Sequence, residues 1–146
     1  MTRPLILSFC SVVLSGALMA DAQAVERIAG PVEVKVSRVI DGDTFRGEAL
    51  VWPGHVVRVS VRLRGIDAPE MRGRCPGEKE AAEAARLALA ALIGDTTALV
   101  SNISGDKYFG RVLPDVSNAD GQDIASALLE RDLVRPYGGA RRNTAC

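Results

Sequence analysis

Between Val57 and Arg64 the chain alternates without a break, with Val57, Val59, Val61 and Leu63 in one parity and Arg58, Ser60, Arg62 and Arg64 in the other. Successive side chains on a strand point to opposite faces, so the segment predicts a half-buried strand with one apolar face and one cationic face. Val32 to Val36 alternates in the same way, as Val-Glu-Val-Lys-Val, and predicts a strand ending near Ile40, ahead of the turn Asp41-Gly42-Asp43. Thr44 to Val51 returns as a second strand, and Trp52-Pro53-Gly54-His55 supplies the next turn through its Pro and Gly, which makes His55 a solvated turn residue. Three strands in a row predict a meander.

The composition changes at Pro76-Gly77, and Glu78 to Ile93 is rich in Ala, Leu, Glu, Lys and Arg, which predicts a helix with acids in its first turn and a stop at Gly94. Its alanines allow close packing against a sheet. Ala98 to Ile103 and Arg111 to Val116 predict two more strands around the Gly105 to Gly110 loop, with Pro114 placing the second toward a sheet edge. Asp123 to Arg131 predicts a second helix, with Ile124, Ala127, Leu128 and Arg131 at helical spacing. The tail from Tyr137 is rich in Gly and Arg and predicts irregular chain. Three strands, a helix, two strands and a helix give an α+β fold, a five-stranded Greek-key barrel of OB type with two to three helices.

The N-terminus has its own pattern. Arg3, the largely apolar run from Pro4 to Ala20 and the small residues of Ala22-Gln23-Ala24 fit an export signal over residues 1–24, leaving a single domain over residues 25–146 and a secreted or periplasmic protein. The run is interrupted by Pro4, Ser8, Ser11, Ser15 and Gly16, and it is short of the roughly 20 apolar residues of a spanning helix. Cys10 leaves with the signal. Cys75 and Cys146 remain, a pair in an oxidising compartment; a bridge between them would stabilise by about 4 kcal/mol on the chain-entropy model, and two free thiols are the alternative.

Composition narrows the chemistry. With one His and three Cys the chain has too few of those side chains for a three-histidine or four-cysteine zinc site. Lys and Arg together number 18, as do Asp and Glu, so no global charge draws the protein to nucleic acid or an anionic membrane. Any affinity for phosphate is local, and any catalysis falls to carboxylates and arginines. Asp41-Gly42-Asp43-Thr44 gathers two carboxylates and a hydroxyl in a turn that suits a hard cation. Arg62-Leu63-Arg64-Gly65-Ile66-Asp67-Ala68-Pro69-Glu70 places acids and arginines where a strand gives way to a turn, and such acids need a cation or arginines to offset their repulsion. Arg62 and Asp67 have opposite parity, so they share a site only if the strand bends near Gly65. Asp106-Lys107-Tyr108-Phe109-Gly110-Arg111 adds an arginine at a strand start.

These segments, in this order and at these separations, resemble the thermonuclease family, the staphylococcal nuclease-like domains, from about Val34 to the region of Tyr137. Val39-Ile40-Asp41-Gly42-Asp43-Thr44, Arg62, Ile66-Asp67-Ala68-Pro69-Glu70, Asp106-Lys107-Tyr108 and Gly110-Arg111 carry the resemblance, and Leu133-Val134-Arg135-Pro136-Tyr137 is similar to the family's last helix and exit. The resemblance implies a calcium ion held by Asp43, Asp67 and the carbonyl of Ala68, where the family usually has Thr. It further implies Glu70 as general base and Arg62 and Arg111 as the phosphate clamp. Lys107 and Tyr108 would hold a terminal phosphate and a base, and Tyr137 would stack on a base. Phe109 is an extra residue in a loop that usually runs Asp-Lys-Tyr-Gly-Arg. The implied activity is calcium-dependent hydrolysis of DNA and RNA, preferring unpaired or breathing strands and leaving 3′-phosphates, by a monomer without stable membrane association. The competing expectation is an exported OB-like module that binds nucleic acid or a protein partner without cleaving it.

Overall fold

The computed structural model describes residues 26–94 and 96–139. The expected export signal and Cys146 lie outside the described residues. In chain order the elements are β1 (Arg27–Ile28), β2 (Val32–Val39), β3 (Thr44–Trp52), β4 (His55–Arg62), β5 (Ile66–Asp67), α1 (Pro76–Ile93), β6 (Thr97–Gly105), β7 (Arg111–Ser117), α2 (Ile124–Glu130) and β8 (Arg135–Pro136).

Strands β2, β3 and β4 form the antiparallel meander that the alternation predicts. β6 pairs with β2 on one side and β7 on the other, and β7 runs parallel to β4 through Ser60↔Arg111 and Val61↔Val112, so five strands close into a barrel. Closure leaves no open edge within it. β1 lies outside, paired to β6, and β5 and β8 form a separate two-stranded ribbon. The result is an α+β, OB-like barrel with two helices among the described residues.

Pro114 departs from its expected edge position. It is buried on a strand paired on both sides, and the β6–β7 register shifts between Ser101 and Ser104, so it sits at a bulge where a missing N–H breaks no ladder bond.

The barrel interior is filled by Val34, Phe45, Val61 and Val100, with Leu63 and Ile66 continuing the core beyond β4. α1 starts two residues earlier than its composition predicts, with Pro76 in its first turn, and ends at Gly94, whose φ is +67°. It buries Ala82, Ala85, Leu89, Leu92 and Ile93, spaced by three and four along one stripe. The alanines let the helix come close. A Cβ added to Gly42 would stand 2.5 Å from the Cβ of Ala85 and 2.9 Å from that of Ala68, so the Asp-Gly-Asp turn is pressed against α1 and only glycine fits between them. Cys75, the residue capping α1, is disulfide-bonded. α2 is capped by Asp123, which accepts from the Ser126 N–H at 2.7 Å, and it buries Ile124, Ala127 and Leu128. No helix among the described residues is long and apolar enough to cross a membrane.

Candidate active site

Arg62 is the last residue of β4. The chain then turns through Gly65, with φ at +77°, before β5 presents Asp67. This turn reverses the parity that would put Arg62 and Asp67 on opposite faces. Arg62 Nη2 donates to Asp67 Oδ1 at 3.1 Å and to the Ile66 carbonyl at 3.3 Å, while Nη1 donates to Asp43 Oδ1. One guanidinium therefore bridges two carboxylates and sets them side by side.

Asp43 is 2% exposed and its contacts are filled from the surrounding turn. The Thr44 hydroxyl donates to Oδ1 at 2.7 Å and the Ala68 N–H donates to Oδ2 at 2.8 Å. Asp41 accepts from the Asp43 N–H at 3.0 Å, closing the turn. Burial first, and then the Asp43 charge, push the Asp41 carboxyl up to about 6. Burial works against the Arg62 cation, but Asp43 and then Asp67 outweigh it, and Arg62 holds its proton more firmly than an ordinary arginine.

Across the cleft, Arg111 Nε donates to Asp106 Oδ2 at 2.6 Å, and its guanidinium lies 4.4 Å from the centre of the Tyr108 ring. Lys107 Nζ lies 5.1 Å from the same ring. Burial of Asp106 is overcome by hydrogen bonds from Arg111 and the Lys107 N–H, so its carboxyl stays below the usual range. Tyr137 arrives from the other end of the chain. Arg135 and Pro136 pair with Asp67 and Ile66, the Tyr137 N–H donates to the Gly65 carbonyl at 2.8 Å, and Arg62 sits 5.7 Å from the Tyr137 ring centre. The exit segment is thus a short strand joined to β5 where the resemblance implies a last helix. Glu70 is exposed, just after β5, in a turn where its carbonyl accepts from the Gly73 N–H at 2.9 Å.

All nine residues singled out from the sequence line one open cleft of about 780 Å³. The cleft also holds Asp41, Arg64 and Asp106, which makes five acids (Asp41, Asp43, Asp67, Glu70 and Asp106) against four bases (Arg62, Arg64, Lys107 and Arg111). A phosphate entering it meets one excess negative charge, and a bound dication would reverse that sign. The donor set suits such an ion: Asp43 and Asp67 are hard oxygen ligands already adjacent, held by one guanidinium. No three His, Cys, Asp or Glu side chains among the described residues form a metal-holding group, so a cation would depend on that carboxylate pair, the Ala68 carbonyl and water.

Sequence reasoning named Asp106 and Thr44 within their segments but assigned neither its supporting role. Asp106 orients Arg111, a partnership whose signal is a carboxylate and an arginine at opposite ends of one loop. Thr44 fixes Asp43 and is visible only as the hydroxyl next in the turn. Arg64 was expected on the cationic strand face with Arg62, but it lies past the end of β4 and turns to β6 and β7, donating to the Asn102 carbonyl at 2.7 Å and to Ser104 Oγ at 3.1 Å, with Asp115 Oδ1 3.2 Å from its Nε. It is a barrel tie. No protein-family model matches the chain, and no curated protein is significantly similar to it.

Proposed function

We propose that this chain is a calcium-dependent nuclease that hydrolyses phosphodiester bonds of DNA and RNA. The observation that carries the reading is the pairing of two aspartate-held arginines, Arg62 and Arg111, in one cleft with Glu70 and the adjacent carboxylates Asp43 and Asp67. A cleft that only bound nucleic acid would gain nothing from carboxylates that repel phosphate.

Arg62 and Arg111 bind the phosphate oxygens, and their hydrogen bonds strengthen as charge builds there in the transition state. Glu70 takes a proton from the attacking water, whose oxygen bonds to phosphorus. The bond to the 5′ oxygen breaks, that oxygen takes a proton from solvent, and the 3′ side keeps the phosphate. Asp43, Asp67 and the Ala68 carbonyl would hold calcium, which when bound supplies positive charge to the phosphate and acidifies water. Tyr108, Lys107 and Tyr137 offer a ring, a cation and a second ring for the flanking base and phosphate, in an open groove that suits unpaired strands. Export to the periplasm or medium belongs to the same proposal.

The test is cleavage of single-stranded DNA by the purified protein with calcium, with chelator, and with Glu70→Gln. Calcium-dependent cutting that falls by at least about a hundredfold in the variant supports the reading. Folded wild type that shifts the DNA on a gel but leaves it intact would establish the non-catalytic binding module instead.

A further inference from the structure

Beside the cleft lies a second groove of about 580 Å³, lined by Ser37, Arg46, Glu48, Arg58, Ser60 and Phe109. The two are divided by the loop from Asp106 to Gly110, and consecutive residues serve opposite sides of it: Tyr108 lines the cleft and Phe109 lines the groove. Phe109 is fully exposed, at 109% of its reference area. An aromatic ring left wholly in water is costly unless something covers it. Its platform is tied down. The Gly110 carbonyl accepts from the Ser60 N–H at 3.0 Å, and the Arg111 N–H donates to the Tyr108 carbonyl at 3.1 Å across the loop.

The groove floor is the outer face of β3 and β4, where Arg46 stands opposite Ser60 and Glu48 opposite Arg58, and Arg38 of β2 stands opposite Arg46 on the other side. The Arg46 side chain makes no ion pair among the described residues. The Arg58 side chain is 91% exposed and its one ion pair among the described residues, to Glu48, is 3.6 Å long, the kind of surface pair that is worth little and exchanges readily. Arginines flanking an uncovered ring, next to a phosphate-handling cleft, form the recurring surface for single-stranded nucleic acid: cations for the backbone and a stacking face for a base.

We propose that this groove is a second nucleic-acid subsite, which takes the strand as it leaves the cleft, with Phe109 stacking on a base and Arg46 and Arg58 holding phosphates. The inference rests on the reading of the cleft as a nucleic-acid site. It gives Phe109 a purpose as a platform and makes affinity depend on strand length.

Fluorescence anisotropy with calcium, in the Glu70→Gln background to stop turnover, tests it with labelled oligothymidylates of three and twelve nucleotides. Phe109→Ala, which alters no packed residue, should weaken the twelve-mer by at least about fivefold and leave the three-mer within twofold. Arg46→Ala should lower the salt slope for the twelve-mer by about 0.7 and not for the three-mer. A three-mer that binds, with a twelve-mer indifferent to both variants, overturns the subsite and leaves the cleft reading standing. Failure of the Glu70→Gln parent to bind either oligomer overturns both. Equal losses on both lengths also refute the subsite, because they place Phe109 in the cleft.

Discussion

Replacing Gly42 by alanine tests the packing that sets Asp43 in place. The added Cβ would lie 2.5 Å from the Ala85 Cβ and 2.9 Å from the Ala68 Cβ, while saturated carbons in contact keep about 4 Å apart. Turn and helix must therefore separate by roughly 1 Å or more. Neither neighbour can rotate away, because each Cβ is fixed to its backbone, so the cost falls in the upper part of the overpacking range, about 2–3 kcal/mol. The φ of Gly42 is not in the left-handed region, so the effect is contact and not torsion. For a chain of this size the loss is about 6–15 °C in Tm. Ala85→Gly alone should cost about 1 kcal/mol in helix propensity, and the double variant should lose about 1–2 kcal/mol less than the sum of the singles, since the removed methyl makes room for the added one. Urea and thermal denaturation of the four proteins close the cycle. A Gly42→Ala protein melting within about 2 °C of wild type, or strictly additive losses, would refute the reasoning.

Three further outcomes follow from the same geometry. Asp41, raised from 3.8 to about 6, binds its proton more tightly folded than unfolded, so the stability it contributes is full below pH 3.8 and is lost as pH rises through 6; discounted for the solvent reaching this half-buried group, Asp41→Asn should be more stable than wild type by about 1–2 kcal/mol at pH 8 in chelator and equal to it at pH 3.5, and a pH-independent difference in urea midpoints would sink the idea. Arg64→Met removes the tie to Asn102, Ser104 and Leu113 and should cost about 2–3 kcal/mol in urea denaturation, well beyond the small loss of oligonucleotide affinity from one fewer cation at the cleft; a loss of affinity with unchanged stability would make Arg64 a ligand-binding residue. Arg111→Lys keeps the charge but loses the fork, and kcat for single-stranded DNA should fall about a hundredfold with KM nearly unchanged, whereas a rise in KM alone would assign Arg111 to ground-state binding.

The barrel was legible because its strands announce themselves locally. Val57 to Val61 and Val32 to Val36 alternate, and an alternating segment with one apolar face has one stable register in a closed sheet. Pro114 misled because an edge and an interior bulge both excuse a missing N–H, and only the partner strand's register distinguishes them. Arg64 misled because parity was extended beyond Arg62, where β4 ends and the turn through Gly65 begins. The convergence of Arg62 with Asp43 and Asp67 was visible in residue type but not in geometry, since it depends on that same turn. The β5–β8 ribbon was invisible, because two-residue strands carry no periodicity.

That ribbon also orders the site in time. A chain made from its N-terminus has Asp43, Arg62 and Asp67 in hand early, and the parallel β4–β7 pairing and Arg111 come next, but the strand that seats Tyr137 against β5 is the last of the described elements to emerge. The cleft is therefore complete only once β8 has followed the barrel strands and both helices, and a chain that lacks it has its barrel strands in hand while Tyr137 is still unseated.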